Sequence, residues 1–177
     1  MRITFLSYCA AIILAVALIV SPDIVRAQDP GGKEFGFGII LGDPLGGTIK
    51  YWTSPTNAIV ADIGESYFGL RRIDVDYLWH FNAFNTHVVN LYVGVGGAVG
   101  FGNGYYGVFY NNDHEKRWYY RSYYNSSVGI GARMILGLDI VPKRIPLEFF
   151  VEAGPLLGFV PAIGVGIDLA LGLRFYP

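Results

Sequence analysis

The stretch that decides the fold is Arg72-Ile73-Asp74-Val75-Asp76-Tyr77-Leu78-Trp79-His80-Phe81-Asn82, because apolar and polar residues alternate along it. Every second residue forms one set, called here a parity, and one of the two parities is wholly apolar: Ile73, Val75, Tyr77, Trp79 and Phe81. The other parity carries the charges, with Leu78 as its apolar exception. Successive side chains of a β-strand point to opposite faces, so this stretch predicts a strand with one apolar and one charged face.

The same alternation recurs in seven further stretches, which are Glu34–Leu41, Gly46–Thr53, Ala58–Tyr67, Val88–Gly102, Val128–Ile140, Leu147–Leu157 and Ile163–Tyr176. Residues typical of chain reversal separate several of them: Gly42-Asp43-Pro44, Ser54-Pro55-Thr56-Asn57, Asn82-Ala83-Phe84-Asn85 and Pro142-Lys143-Arg144. Only Gly102–Asn125 forms a long connection, and Pro155 is expected to mark a bulge or a strand end. The pattern predicts an all-β protein with eight antiparallel strands.

The composition excludes several classes of protein. Of the 177 residues, 53% are hydrophobic and only 15% are charged, and the 24 glycines amount to about 14%, whereas a soluble domain averages roughly 25% charged residues and 7% glycine. High apolar content and a net charge of -1 exclude intrinsic disorder. The balance of 13 basic against 14 acidic residues argues against nucleic-acid binding.

The N-terminal segment has the features of a secretory signal peptide. Met1-Arg2 is positively charged, Ile3–Val20 is apolar, and Val25-Arg26-Ala27 provides small residues before a cleavage point. We predict a signal peptide over residues 1–27 and one domain over residues 28–177; the alternative is a retained membrane anchor. Cys9 lies within this segment, so the mature domain is expected to have no disulfide, thiolate nucleophile or zinc–thiolate site.

Two barrel architectures are compatible with eight alternating strands. A soluble lipocalin-like barrel places its apolar face inside, but the polar parity here is rich in glycine and poor in lysine for a solvated surface. Eight bulky apolar faces would also overfill so narrow an interior. No run of about 20 apolar residues follows Gln28, so membrane helices are not expected there. The pattern therefore favours a closed, up-and-down, eight-stranded transmembrane β-barrel with its apolar parity facing lipid.

In this architecture the polar parity lines the lumen, where opposite charges can pair. The predicted lumen network consists of Lys50, Asp62, Arg72, Asp74, Asp76, His80, Arg133, Asp139, Glu148, Glu152, Asp168 and Arg174, and Glu34 is expected to join it. Aromatic residues near strand ends suit the girdles at the membrane interfaces, and these are Tyr51, Trp79, Phe81 and Phe175.

Several segments resemble a known family. Gly38-Ile39-Ile40-Leu41-Gly42-Asp43-Pro44 followed by Lys50-Tyr51-Trp52, then Asp76–Phe81 and Leu91–Gly97, are similar to segments of small eight-stranded outer-membrane β-barrel proteins of Gram-negative-type bacteria, the OmpA/OmpX-type barrels, and of a porin-like subgroup. The C-terminal residues Leu171, Leu173, Phe175 and Tyr176 resemble the signal that the barrel-assembly machinery reads, although Pro177 follows where such chains end on an aromatic residue.

The resemblance implies that both termini face the periplasm and that four connections are extracellular: Gly42–Pro44, Tyr67–Leu70, Gly102–Asn125 and Gly158–Ala162. The long connection is rich in aromatic residues, among them Tyr105, Tyr106, Tyr110, Trp118, Tyr119 and Tyr120. One interpretation is a hairpin that prolongs the fifth and sixth barrel strands beyond the membrane; the other, compatible with it, is a surface that contacts an extracellular ligand.

The expected function is that of an integral outer-membrane protein with a structural or surface-interaction role. The expected partners are outer-membrane lipid, the barrel-assembly machinery and an extracellular ligand at residues 102–125, and no cofactor or metal is expected. Of the histidines, His80 is expected to pack in the lumen, while His87 and His114 lie at a turn and a loop tip. The sequence offers no catalytic constellation, since no histidine is placed to activate Ser126 or Ser127. A narrow porin-like channel and a lipid A-modifying enzyme remain as alternatives.

Overall fold

A computed structural model describes residues 33–84, 86, 88–112, 115–123, 128–142, 145–161 and 163–177. The predicted signal peptide at residues 1–27 therefore lies outside the described residues. The strands are β1 (Phe35–Gly42), β2 (Leu45–Ser54), β3 (Asn57–Glu65), β4 (Arg71–Phe81), β5 (Val89–Phe101), β6 (Gly104–Asn112), β7 (Glu115–Tyr123), β8 (Val128–Ile140), β9 (Leu147–Val160) and β10 (Gly164–Phe175). Among these residues, no helix is long and apolar enough to cross a membrane.

Eight of these strands form a closed barrel. Each strand is antiparallel to its neighbours in the order β1-β2-β3-β4-β5-β8-β9-β10, and β1 pairs with β10 from Phe37↔Phe175 to Gly42↔Ala170. This last pairing closes the sheet, so neither β1 nor β10 is left with an open edge along that register. The predicted fold, an eight-stranded antiparallel up-and-down barrel, is confirmed.

The alternation in the sequence becomes an alternation of burial. Along β4, Arg72, Asp74, Asp76, Leu78 and His80 are buried inside the barrel, whereas their neighbours on the other parity are exposed or half-buried on the outer wall. Each other barrel strand alternates in the same sense over most of its length, because a strand reverses side-chain direction at every residue.

The two ends of the barrel differ in their connections. One end, called here the Tyr176 end, contains Tyr176, the short turn at Pro55–Thr56 and the connections after β4 and β8. At that turn Ser54 Oγ accepts hydrogen bonds from the backbone N–H groups of Thr56 and Asn57, which explains the Ser-Pro-Thr-Asn sequence. The opposite end, called the hairpin end, contains the connections after β1, β3 and β9, together with β6 and β7.

β6 and β7 form the hairpin expected within the long connection, paired from Gly104↔Tyr123 to Asn112↔Glu115. The expectation that it simply prolongs two adjacent barrel strands is wrong. Gly102, with a φ of 92°, interrupts the chain after β5, and β6 then pairs with β10 at Val165↔Gly107. Since β8 and β9 separate β5 from β10 in the barrel, the hairpin reaches across the mouth.

Three other local expectations are corrected. β3 ends at Glu65 rather than Tyr67, and β9 continues to Val160 through the segment expected as a loop at Gly158–Ala162. Pro155 lies inside β9, opposite Ile167 of β10, rather than at a strand end. The β8–β9 pairing is interrupted beside it, between Arg133↔Leu156 and Leu136↔Ala153, whereas the register shift of this pair occurs at Ile130/Gly131. A proline on the outer wall is tolerated there because it removes only one N–H from the sheet.

Candidate functional site: a charged, side-chain-filled lumen

The structure places all twelve residues of the predicted lumen network inside the barrel, where each is buried. Glu34, expected to join them, instead lies exposed outside and accepts a hydrogen bond from the Tyr51 hydroxyl at 3.1 Å. Because Glu34 precedes β1, no strand directs its side chain inward. The buried charges divide into two clusters, one toward each end of the barrel.

The cluster toward the Tyr176 end, called the Lys50 cluster, is organised by the Lys50 ammonium group. Lys50 Nζ donates to Asp139 Oδ2 at 3.2 Å and to Glu148 Oε1 at 3.1 Å. It also lies 4.2 Å from the centre of the Trp52 ring, in cation–π contact. Arg174 Nη1 donates to the same Glu148 oxygen at 2.7 Å, and Asn90 Nδ2 donates to Asp139 Oδ1 at 2.8 Å. Two cations and two carboxylates are thus matched.

His80 lies at the edge of the Lys50 cluster. Its Nδ1 is 3.3 Å from the Thr56 carbonyl oxygen, and its Nε2 is 3.0 Å from Lys50 Nζ. A carbonyl can only accept and an ammonium can only donate, so these two contacts fit an imidazole with its hydrogen on Nδ1. The same Nε2 also lies 3.2 Å from Asp139 Oδ2, a contact that fits a hydrogen on Nε2. His80 therefore contacts both Lys50 and Asp139 and holds them in place.

Tyr176 closes the lumen at this end. Its ring is fully buried and lies against Gly36, where an added Cβ would come within 2.6 Å of the ring. Its hydroxyl donates to Glu148 Oε2 and accepts from Trp52 Nε1 at 3.1 Å. Tyr176 thus differs from Leu171 and Phe175 of the predicted assembly signal, whose side chains are exposed on the outer wall; Leu173 lies half-buried on the same outer parity.

The cluster toward the hairpin end, called the Arg72–Arg133 cluster, is organised by two guanidinium groups. Arg72 donates to both carboxylate oxygens of Asp168 and, through Nε, to Asp74 Oδ1 at 2.7 Å. Arg133 donates to Asp74 Oδ2 at 2.9 Å and to Glu152 Oε1 at 2.9 Å. Asp74 is therefore held between both arginines, an arrangement of charge-assisted hydrogen bonds.

Two turns fold down to cap this second cluster. Asp43, in the turn after β1, accepts hydrogen bonds from the Ser66 hydroxyl, from the Tyr67 backbone N–H at 3.1 Å and from Arg72 Nη1 at 3.2 Å. Partial burial raises the pKa of the Asp43 carboxyl, an effect that the Ser66 and Tyr67 hydrogen bonds and the charge of Arg72 oppose. Asp43 thereby ties the β1–β2 turn to the β3–β4 connection.

The β3–β4 connection is itself part of the lumen filling. The Phe68 side chain is fully buried and packs with Ala98 and Leu156, and Tyr67 packs against this group. The Tyr67 hydroxyl donates to Asp168 Oδ1 at 2.7 Å, and burial and the Asp168 charge raise the pKa of this phenol. A segment expected to be a plain external loop therefore closes the lumen at the hairpin end.

Sequence reasoning missed these capping residues. The alternation already put Trp52 and Tyr92 on the lumen parity, and Tyr92 donates to Glu152 Oε2 at 2.9 Å. No local signal identifies Asp43, Tyr67 or Phe68, because their partners are distant in sequence and the residues lie outside the regular strands.

Other predicted residues lie beyond what the structure describes. The side chains of the connection aromatics Tyr105, Tyr106, Tyr110, Trp118, Tyr119 and Tyr120 are outside the described part of the molecule, as are His87 and His114. Within the part that is described, no three histidine, cysteine or acidic side chains are grouped so that they could hold a metal ion.

No protein-family model matches the chain, and no curated protein matches it. The N-terminal β-barrel domain of Pseudomonas aeruginosa OprF aligns with a TM-score of 0.49 and 16% identity, covering 81% of this chain and 96% of that one.

Proposed function

We propose that this chain is an integral protein of a bacterial outer membrane, with a structural or surface-interaction role and a lumen filled by side chains. The observation that carries the proposal is the inverted distribution of polarity in the closed barrel. Lysine, arginine and acidic side chains are buried inside, whereas Phe37, Ile39, Val75, Leu171 and many other large apolar side chains are exposed on the outer wall.

Lipid is the environment that suits this outer wall. Exposed apolar side chains occur on all eight barrel strands, far beyond the few hundred Å² of apolar patch that a soluble monomer exposes. Hydrocarbon also requires every backbone polar group to be paired within the protein, which the β1–β10 pairing provides. The exposed aromatic side chains of Tyr51, Trp79 and Phe175 lie toward the Tyr176 end, where they suit a membrane interface.

The filled lumen favours a role other than conduction. Among the largest fully buried side chains are Arg72 and Phe68 toward the hairpin end and Lys50, Arg174 and Tyr176 toward the other end. Eight strands leave an interior just wide enough for side chains. We expect no steady open-channel current from the refolded protein in planar bilayers, and regular conductance steps would instead support the narrow porin-like channel.

We also propose that the chain is not an enzyme. His80 is buried among Lys50, Asp139 and Thr56, away from lipid, and none of the serines that the structure describes is hydrogen-bonded to it. Among the described residues, the Ser66 hydroxyl bonds Asp43 and Arg72 and serves to hold two turns together. Overproduction in a Gram-negative host should leave lipid A acylation unchanged; an altered acylation pattern would support the lipid-modifying alternative.

The surface role is assigned to the connection at residues 102–125. Its β6–β7 hairpin reaches across the mouth, so its aromatic residues are candidates for contact with an extracellular ligand.

The outer wall of β10 is the surface proposed to meet the barrel-assembly machinery. It presents Leu171, Leu173 and Phe175 at alternate positions, with Tyr176 turned inward.

Membrane insertion is tested by an arginine placed on the outer wall. Val75, 53% exposed near the middle of β4, lies between Ala61 and Gly97 of the neighbouring strands. Val75→Arg should lower the free energy of unfolding in lipid vesicles by about 2–4 kcal/mol, because a cation near the bilayer midplane is poorly solvated. The matched control is Leu70→Arg, in the β3–β4 connection, where the expected cost is about 0–1 kcal/mol.

Fractionation of cells tests the location directly. The protein should remain with outer membranes in Sarkosyl and should change its gel mobility on heating, as folded barrels do. Recovery with soluble periplasmic proteins, without a mobility change, would contradict the proposal. Equal costs of the Val75 and Leu70 variants would contradict it independently.

A further inference from the structure

Among the side chains that the structure describes, the buried charges inside the barrel do not balance. Lys50, Arg72, Arg133 and Arg174 supply four positive charges, and His80, which lies in the Lys50 cluster, could add at most a fifth. Seven carboxylates are buried with them, namely Asp62, Asp74, Asp76, Asp139, Glu148, Glu152 and Asp168. Since Lys50 and Arg174 match Asp139 and Glu148, the excess of acid lies with the Arg72–Arg133 cluster.

Two of the excess carboxylates have no hydrogen-bond partner. Asp62 is 2% exposed and Asp76 is 1% exposed, and none of their four carboxylate oxygens accepts a hydrogen bond. The nearest ion-pair contact is between Arg133 Nε and Asp76 Oδ1, at 3.4 Å and without hydrogen-bond geometry. The hydroxyl of Thr48 faces Asp62 but is likewise outside hydrogen-bond geometry, and it accepts from Arg174 Nε.

The register of β3 and β4 brings these two carboxylates onto one patch of the inner wall. Asp62 lies directly opposite Asp74, and Asp76 lies two residues further along β4, opposite Val60. Such diagonal neighbours have Cα atoms roughly 7–8 Å apart, a distance that two aspartate side chains and one small ion can bridge. Gly96 leaves room here, because a Cβ at that position would overlap Asp76 Oδ1.

Chain groups of both signs surround the pair. Asp62 faces Thr48, Asp74, Arg133 and Arg174, and Asp76 faces Arg133, Asp74, Asp62 and Glu152. The hydrogen bonds of Arg133 go to Asp74 and Glu152, and those of Arg174 go to Glu148 and Thr48. Arg133 Nε and Arg174 Nη2 are buried without a hydrogen-bond partner, so neither arginine bonds Asp62 or Asp76. Ionised carboxylates that are buried without hydrogen bonds and outnumber the nearby cations are poorly solvated, so a further positive charge at this place would stabilise the fold.

We propose that Asp62 and Asp76 form a binding site for a positive charge taken from solution, either a proton or a hard metal cation. Both species have the same effect, which is to neutralise two adjacent carboxylates that the protein's own cations leave unbonded. No third acidic or histidine side chain among the described residues completes a metal-holding group, so a metal ion here would take its remaining ligands from water.

The test compares the full chain, folded in detergent micelles, with Asp62→Asn/Asp76→Asn. Asparagine keeps the shape and removes the charge. We expect the unfolding rate of the wild type in urea to rise about tenfold or more from about pH 6 to about pH 9 when choline is the only added cation, whereas the double variant should respond far less. If adding Na⁺ or Ca²⁺ at constant ionic strength restores slow unfolding at the higher pH, the bound species is a metal ion; if only lower pH does so, it is a proton.

Asp74→Asn is the matched control on the same wall. Asp74 is already held by Arg72 and Arg133, so its neutralisation should speed unfolding and leave the response to pH or cation in place.

A measurement on the wild type alone keeps the proposal testable if a variant does not fold: a protonated site gives an infrared carboxylic acid band that disappears at high pH. The proposal is overturned if the wild type shows neither that band nor any dependence on pH or metal cation, or if the double variant responds as the wild type does.

Discussion

The two clusters of the lumen are built from the same residue types on the same parity, yet they differ in charge balance. In the Lys50 cluster, Lys50 and Arg174 face two carboxylates, and neutral donors from Asn90 and Tyr176 give these carboxylates further hydrogen bonds. In the Arg72–Arg133 cluster, two guanidinium groups face five buried carboxylates, which are Asp62, Asp74, Asp76, Glu152 and Asp168.

This difference shows that the number of ion pairs is a poor guide to how a buried network behaves. Arg133 alone lies within ion-pair distance of four carboxylates, yet one of its nitrogens has no hydrogen-bond partner. What matters is which charges would be left without a partner when one group is removed, because desolvation of an unpaired ion outweighs the gain from any single pair.

The largest expected effect comes from removing a cation where cations are scarce. Arg133→Met should lower the free energy of unfolding by about 3–5 kcal/mol, because Glu152 loses its guanidinium partner and Asp74 loses one of two. Lys50→Met should cost less, about 3 kcal/mol, since Arg174 still bonds Glu148 and Asn90 still bonds Asp139. Equilibrium unfolding in urea, followed by heat-dependent gel mobility, measures both; equal losses would contradict the unequal balance of the clusters.

A smaller effect is expected where each end is closed by a tyrosine lying on a glycine. Gly36→Ala would press on the Tyr176 ring, and Gly166→Ala on the Tyr67 ring. We expect a loss of about 1–3 kcal/mol for Gly36→Ala and a smaller loss for Gly166→Ala, because Tyr176 is fully buried whereas Tyr67 is part of a connection and can move. Urea unfolding again provides the measurement. Gly97→Ala is the control, since its Cβ would meet only the Gly131 carbonyl oxygen, at 3.7 Å.

Deletion of a single hydroxyl group is expected to cost about as much as these alanine substitutions at the Tyr176 end and least of all at the hairpin end. Tyr176→Phe should cost about 1.5–3 kcal/mol, because Glu148 Oε2 and Trp52 Nε1 both lose their partner. Tyr67→Phe should cost about 0.5–1.5 kcal/mol, because Arg72 still binds both oxygens of Asp168. Thermal mobility-shift midpoints would rank the two variants, and a larger loss for Tyr67→Phe would show that the hairpin end is the more tightly held.

Much of the barrel could be predicted from the sequence because the signal is local. The alternation in β4 assigns Asp74 and Asp76 to one face and Val75 to the other without knowledge of any partner. The alternation carries no information outside regular strands. Extending it there wrongly placed Glu34 in the lumen and ended a strand at Tyr67, and the proline rule wrongly suggested a strand end at Pro155, which lies within β9.

The sequence by itself determined the eight barrel strands, the two faces of each strand and the twelve side chains of the lumen network, since a period of two is a property of extended backbone. Only the tertiary structure decided which charges meet. Lys50 of β2 reaches Asp139 of β8 and Glu148 of β9 across the lumen, and Asp43 meets Arg72 because two turns fold inward. These partners depend on how the strands are staggered when β1 closes on β10, and that stagger is a relation between distant segments that no single stretch of sequence contains.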